Sequence, residues 1–271
     1  MSVIRVGNPL RRTSLITDIT DGLQQTNRLK RTHLFASDAG FCHRKATMMR
    51  NAPDDMTETV DASGTLYMAI GSAIHTTLVQ SLKRTGKLMG AEIRIQDAEL
   101  ELSGYIDLVV RTDDGPMLVE VKTCGVLPSR PKDWHYEQAM VYSLITGVPA
   151  VTLLYVSRNV ASYDGHLLMQ PIVLDPAHSD YVLIAQRLAA ARYYSKLGKL
   201  GPIPDHIRSE RSCGFCPFRS ICWGSAPSFL PYASLTERSA ITAQAARDAD
   251  RLVGGMEERR TRFLAQLDGT K

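Results

Sequence analysis

Apolar positions along this chain switch between two periods, and the switches mark out its elements. Residues 61–85 carry Leu66, Tyr67, Ile70, Ile74, Leu78 and Leu82 at helical spacing, which predicts one long helix with a single broad apolar arc and His75 at its edge. Residues 91–97 alternate as a strand, and 99–110 and 116–123 follow as two more, rich in aliphatic residues. Thr112–Asp113–Asp114–Gly115 between the last two has the composition of a tight turn. A loop with two prolines leads to a helix over 134–146, for which Asp133 is the expected cap and Gly147 the stop. Residues 150–157 predict a buried strand, 163–173 a weaker one, and 178–197 an amphipathic helix ending near Gly198. Gly201–Pro202–Ile203–Pro204 is an expected linker, and 235–267 a helical tail interrupted at Gly254–Gly255. The order predicts an α/β fold: a mixed central sheet flanked by helices.

The first fifty residues are less regular. Residues 1–30 are expected to form a basic arm with a short helix near 14–29, and a helix start signal stands at Ser37–Asp38. Nine Lys/Arg against three Asp put +6 on this stretch, while the whole chain carries only +4. Such asymmetry suits an anionic partner, nucleic acid above all. At 44% hydrophobic and 22% charged residues, the 271-residue chain has enough apolar material for a real core. No run approaches the length of a membrane span, and no apolar signal core opens the chain, so the expectation is a cytoplasmic or equivalent reducing compartment without membrane partners.

Chemistry concentrates in Gly104–Lys122. Glu120 and Lys122 are two apart on one strand and therefore share a face, while Asp107 comes from the neighbouring strand. Two carboxylates converging from adjacent strands offer hard oxygen ligands for Mg²⁺ or Mn²⁺, and a histidine such as His75 would favour Mn²⁺ somewhat. Lys122 could orient a water or stabilise charge on a phosphate. Gln138 and Tyr142, four apart, share one face of the following helix. Glu92 is a further acid on the preceding strand, without an assigned role.

Five cysteines, of which Cys213, Cys216 and Cys222 lie within ten residues, do not form a secreted disulfide framework. With the distal Cys42, the trio fits either Zn²⁺ or a [4Fe–4S] cluster. Cys124 has no partner at such spacing and reads as a free buried thiol.

Gly104-Tyr105-Ile106-Asp107 followed by Glu120-Val121-Lys122 resembles the core of the PD-(D/E)XK nuclease superfamily, with Ile106 where the eponymous proline would stand. Gly71–His75 resembles the helix histidine of its RecB-like branch, and Gln138–Tyr142 the branch's Gln-x-x-x-Tyr motif. The resemblance implies a restriction-endonuclease-like core and metal-dependent hydrolysis of DNA. His75, Asp107, Glu120 and the Val121 carbonyl would hold the metal. Asp107, Glu120, Lys122, Gln138 and Tyr142 would form the catalytic set. Cys42-His43-Arg44-Lys45 and Cys216-Pro217-Phe218-Arg219 are similar to the cysteine signatures of an iron–sulfur-stapled subgroup, which includes AddB-type repair nucleases and CRISPR-associated and phage exonucleases; His43 replaces a proline there. It implies a cluster held by Cys42, Cys213, Cys216 and Cys222 in a helical lobe.

The domain layout expected on this basis is an arm at 1–30, a nuclease domain at 31–223 and a helical tail at 224–271. Arg44 and Lys45, beside the cluster, would line a passage for DNA. The activity implied is exonucleolytic, on single strands or ends with 5′ to 3′ polarity favoured, in recombination, repair or CRISPR adaptation. Homo-oligomers and recombination or CRISPR partner proteins fit the same resemblance. Two other readings stay open at this point: a DNA-binding accessory protein with a vestigial site, and a zinc-stabilised interaction module.

Overall fold

The structure is a computed structural model that describes residues 9–159, 169–207, 213–214, 216–224 and 227–268. The amino-terminal part runs α1 (Pro9–Leu23), β1 (Gln25–Arg28), β2 (Leu34–Phe35), α2 (Ala36–Ala39), α3 (His43–Asn51) and β3 (Thr57–Val60). The helix expected near 14–29 thus begins and ends earlier, because Gln25–Arg28 pairs antiparallel with Thr57–Val60. Then come α4 (Ala62–Arg84), β4 (Leu88–Asp97), β5 (Leu102–Thr112), β6 (Gly115–Cys124), α5 (Asp133–Thr146), β7 (Val151–Ser157), β8 (Met169–Leu174) and α6 (His178–Leu197). The short α7 (Arg219–Cys222) precedes α8 (Leu235–Gly254) and α9 (Met256–Asp268). The first part of the weak strand expected at 163–173 lies outside the described residues.

The main sheet has six strands and is mixed, as the pattern predicts. β5 is its spine: β4 lies antiparallel along one edge, and the other edge is shared by β2 at its start and β6 at its end. β6 continues parallel to β7, and β8 closes the sheet antiparallel. The crossover between the parallel strands β6 and β7 is α5, which ends as expected at Gly147 in the left-handed conformation (φ +71°). Asp133 is not its cap. Lys132 occupies that position without a side-chain bond, and Asp133 falls in the first turn, where its charge still favours the helix dipole.

The core lies between the sheet and α5, α6, α8 and α9. Leu118, Leu153 and Tyr155 from the strands meet Met140, Leu144, Leu188, Leu252, Phe263 and Leu267 from the helices. The segment expected as a tail therefore supplies part of the main core. On the opposite face, Leu108, Val119, Val121 and Val156 pack under Ile74, Leu78 and Leu82 of α4.

Only the second half of α4 is covered. Leu66, Tyr67 and Ile70 are exposed, so the single apolar arc predicted for this helix divides in two. At 23 residues the helix is roughly 34 Å long, and its first turns project past the sheet. A separate cluster forms where α3 meets the carboxy-terminal cysteine segment. Leu29, Met48, Met49, Leu200 and Phe218 pack there against Cys216 and Cys222. Among the described residues no helix is long and apolar enough to cross a membrane.

Candidate active site

The site begins where a β-ladder stops. β5 and β6 pair from Thr112–Gly115 to Leu108–Val119, and the next pair in register would be Asp107–Glu120. It does not form. The Asp107 carboxylate instead accepts a hydrogen bond from the backbone N–H of Val121 at 2.7 Å, doing with a side chain what a carbonyl does in the rest of the ladder. The strands therefore part where the two acids stand.

Tyr142 of α5 fills the gap. Its hydroxyl accepts from the Tyr105 backbone and from Gln138 Nε2, the latter at 2.9 Å. Gly104 makes this packing feasible: a Cβ there would meet the Tyr142 ring at 2.9 Å and Ala36 Cβ at 3.0 Å. Burial first, and then the nearby Glu120 charge, raise the Tyr142 phenol, so it remains neutral.

Glu120 is 3% exposed. Its Oε1 accepts from Lys122 Nζ at 2.7 Å, and its Oε2 is buried with no hydrogen-bond partner. Burial pushes the Glu120 carboxyl up to about 8, with Lys122 opposing the shift and Asp107 reinforcing it. Burial likewise raises Asp107, against the pull of His75 and of the Val121 N–H. Lys122 also donates to Gln138 Oε1 at 3.0 Å, so one ammonium is fixed between a carboxylate and an amide. His75 Nε2, from the covered half of α4, stands 3.7 Å from Asp107 Oδ2.

The five side chains His75, Asp107, Glu120, Lys122 and Gln138 thus meet at one place, with Tyr142 behind them. The donor set fits a divalent cation of the hard, oxygen-seeking kind: two carboxylates from parted strands, one with an orphaned buried oxygen, and an imidazole at the rim. Among the described residues, no three His, Cys, Asp or Glu side chains are close enough together, as they stand, to enclose a metal ion. The carboxylates would have to draw in around it. The Val121 carbonyl belongs to the same strand step as Glu120 and Lys122.

The structure adds neighbours that one-dimensional spacing could not reveal. Glu92 of β4 lies between the paired steps Ala91–Leu108 and Ile93–Ile106, outside the ladder and with a positive φ of 49°, and its charge adds to the rise of Asp107. Tyr155 is the register partner of Lys122 on β7, and its hydroxyl bonds His135 Nδ1 at 2.8 Å. Burial, with Lys122 and Lys132 nearby, pushes His135 down to about 3, so this imidazole is neutral. Neither residue stands out in the sequence, because only the β6–β7 pairing brings them to the lysine.

The cysteines gather in the second lobe. Cys42 caps α3, and its sulfur accepts from the Lys45 N–H at 3.4 Å. Burial pushes its thiol up to about 12, and the proximity of Cys216 and Cys222 adds to the rise. Cys216 is pushed to about 11, chiefly by burial, with Cys222 and Cys213 contributing. Four thiols from opposite ends of the chain therefore share one neighbourhood. Cys124 stands apart, buried in the main core with its sulfur against the Val156 carbonyl.

Arg44 and Lys45, the residues expected to line a DNA passage, turn towards the cysteines. Arg44 is 3% exposed, donates to the Gly201 carbonyl at 2.9 Å and lies beside Cys222. Lys45 is bound to Asp38 at 2.6 Å, near Cys42 and Cys216. Two cations placed there would offset negative charge on deprotonated thiols, although among the described residues no three of these side chains stand close enough together to enclose a metal ion.

Residues 62–223 match the model of a family described as the PD-(D/E)XK nuclease superfamily. No curated protein matches the sequence significantly. Among solved structures, the crystal structure of SSO0001 is similar over 80% of this chain and 97% of that one, at 16% sequence identity with a TM-score of 0.44.

Proposed function

The chain belongs to the PD-(D/E)XK nuclease superfamily, and from that premise we propose that it is a metal-dependent exonuclease acting on single-stranded DNA or DNA ends, with 5′ to 3′ polarity favoured. The observation that carries the reading is the parted ladder at Asp107 and Glu120, with Lys122 held between Glu120 and Gln138.

His75, Asp107, Glu120 and the Val121 carbonyl are the proposed ligands of Mg²⁺ or Mn²⁺. When bound, such an ion polarises the phosphodiester and acidifies a water molecule. The chain's own residues do the rest. Asp107 is fixed by the Val121 N–H, which stops its carboxylate from rotating away. Lys122 presents a positive charge where charge develops on phosphate or water. Gln138 holds the ammonium in place, and Tyr142 holds Gln138. Burial of Glu120 favours its neutral form, so a bound cation would supply the positive charge that lets it ionise there.

The four cysteines are the proposed ligands of a [4Fe–4S] cluster with a structural role, tying α3 to the carboxy-terminal segment. On this reading the chain is a RecB-like, iron–sulfur-stapled nuclease that works in recombination, repair or CRISPR adaptation-like processing.

The test is cleavage of end-labelled single-stranded DNA by the purified chain with Mn²⁺ or Mg²⁺. Wild type should shorten the strand from an end, and Lys122→Ala and Asp107→Ala should not. Equal activity in both variants would assign the cleavage elsewhere. Substrates blocked at one end or the other give the polarity.

A further inference from the structure

We propose that Trp134 is a stacking platform for a base of single-stranded nucleic acid, set one helical turn from the lysine-binding glutamine; the choice of ligand rests on the nuclease reading above. Trp134 opens α5 and is 42% exposed, a large apolar area to leave in water. The ring is braced. Phe41 meets it edge-on at 6.2 Å and His135 edge-on at 5.6 Å, so its plane is fixed while part of its surface remains open. The Lys132 ammonium lies over one face of the ring, 5.4 Å from its centroid, and Arg130 is exposed just before it.

Its place on the helix gives the ring a purpose. Trp134, Gln138 and Tyr142 stand at i, i+4 and i+8 on α5, one stripe of one face. Gln138 binds Lys122, so the indole is about 6 Å along the axis from a residue of the reacting centre. A braced aromatic face beside a cation is what an unstacked base and its phosphate fit. Paired bases inside a duplex hide their faces, so the platform selects a single strand or a frayed end.

The long helix on the opposite face of the sheet repeats the arrangement. Tyr67 is 56% exposed, with the Arg158 guanidinium 4.1 Å over its ring. Tyr67, Gly71 and His75 are again at i, i+4 and i+8, and a Cβ on Gly71 would lie 3.7 Å from the Thr123 hydroxyl, next to Lys122. The end of β6 thus has an exposed ring with a cation on each of its two flanking helices. A strand crossing Lys122 would meet a base platform on either side.

The chain has two tryptophans, so Trp223→Phe leaves Trp134 as the single indole. In a chelator, without cleavage, an oligo-dT strand should quench its fluorescence saturably, and an abasic strand of equal length should not. Trp134→Ala in the full chain should weaken oligo-dT binding, read by anisotropy, by about ten-fold or more. Binding of the abasic strand should not change, and Trp134→Phe should keep most of the affinity. Tyr67→Ala should weaken oligo-dT binding in the same selective way. Unchanged oligo-dT binding by Trp134→Ala, or equal quenching by the abasic strand, overturns the platform. Cleavage by wild type is scored separately. Base-dependent quenching without any cleavage would sink the nuclease reading and leave the platform standing; cleavage without quenching would do the reverse.

Discussion

Gln138 accepts a hydrogen bond from the Lys122 ammonium at 3.0 Å, and its own amide donates to the Tyr142 hydroxyl at 2.9 Å. The glutamine is thereby locked in one rotamer and one amide orientation, and it passes that order to the lysine. Gln138→Ala should leave the fold intact and lower the cleavage rate by about 10- to 100-fold, as loss of a supporting partner does. Lys122→Ala should cost about 10²- to 10⁴-fold. Single-turnover rates with unfolding curves on the same preparations check both.

Glu120 sets a pH dependence. Its carboxyl is at about 8 in the folded chain against 4.5 for a free glutamate, so between those values the folded state binds the extra proton. The contribution of this group to the stability of the metal-free protein is therefore fully present below about pH 4.5 and is lost as pH rises through about 8. Thermal unfolding in chelator should show that decline, and Glu120→Gln should flatten it. Cation binding must expel the same proton, so affinity should strengthen as pH rises toward 8, with proton release measurable by calorimetry in buffers of different ionisation heat.

Gly104 tests whether the parted ladder is a packed construction. Gly104→Ala drives a methyl group into Tyr142 and Ala36, both held by neighbouring elements. Stability should fall by about 1–3 kcal/mol, the usual cost of overpacking. Because the displaced ring is Tyr142, cleavage should fall as well, even at temperatures where the variant remains folded. Denaturant titration and rate measurement together separate the two effects.

Gly147 ties the last helix to the site helix. It has φ +71°, and a Cβ there would come within 1.9 Å of the Met256 carbonyl. Gly147→Ala should destabilise by at least about 2 kcal/mol, and hydrogen exchange should quicken first in α9.

Cys42 should be required for the second lobe. Protein purified without oxygen should be brown, with broad visible absorption and about four irons per chain if a [4Fe–4S] cluster is bound. A colourless protein with stoichiometric zinc would replace the cluster with a zinc site. Cys42→Ala should lose the metal and lower the melting temperature together, since α3 and the carboxy-terminal segment would lose their common anchor.

Much of the site was legible because its spacing is short. Glu120 and Lys122 share a face by strand alternation, Gln138 and Tyr142 by helical period, and both pairs meet as expected. The helix at His178–Leu197 matches its pattern, and the stop at Gly147 follows from its freedom at positive φ. Other features were decided by tertiary packing. Arg44 belongs to a basic cluster in the sequence, yet its guanidinium is buried against Gly201, 157 positions away. Leu66, Tyr67 and Ile70 continue the apolar arc of α4, yet they are exposed. Residues 235–267 have the composition of a helical tail, and Leu252, Phe263 and Leu267 among them close the main core.

The sequence by itself determined the elements, the α/β class and the residue types at the candidate site, because those depend on periods of two to four residues. The tertiary structure alone decided that β5 and β6 part at Asp107 and Glu120, that one oxygen of Glu120 is left without a partner, and that His135 and Tyr155 stand behind Lys122. Those facts depend on which strands pair and where a ladder stops, and pairing is set by packing between residues far apart in the chain.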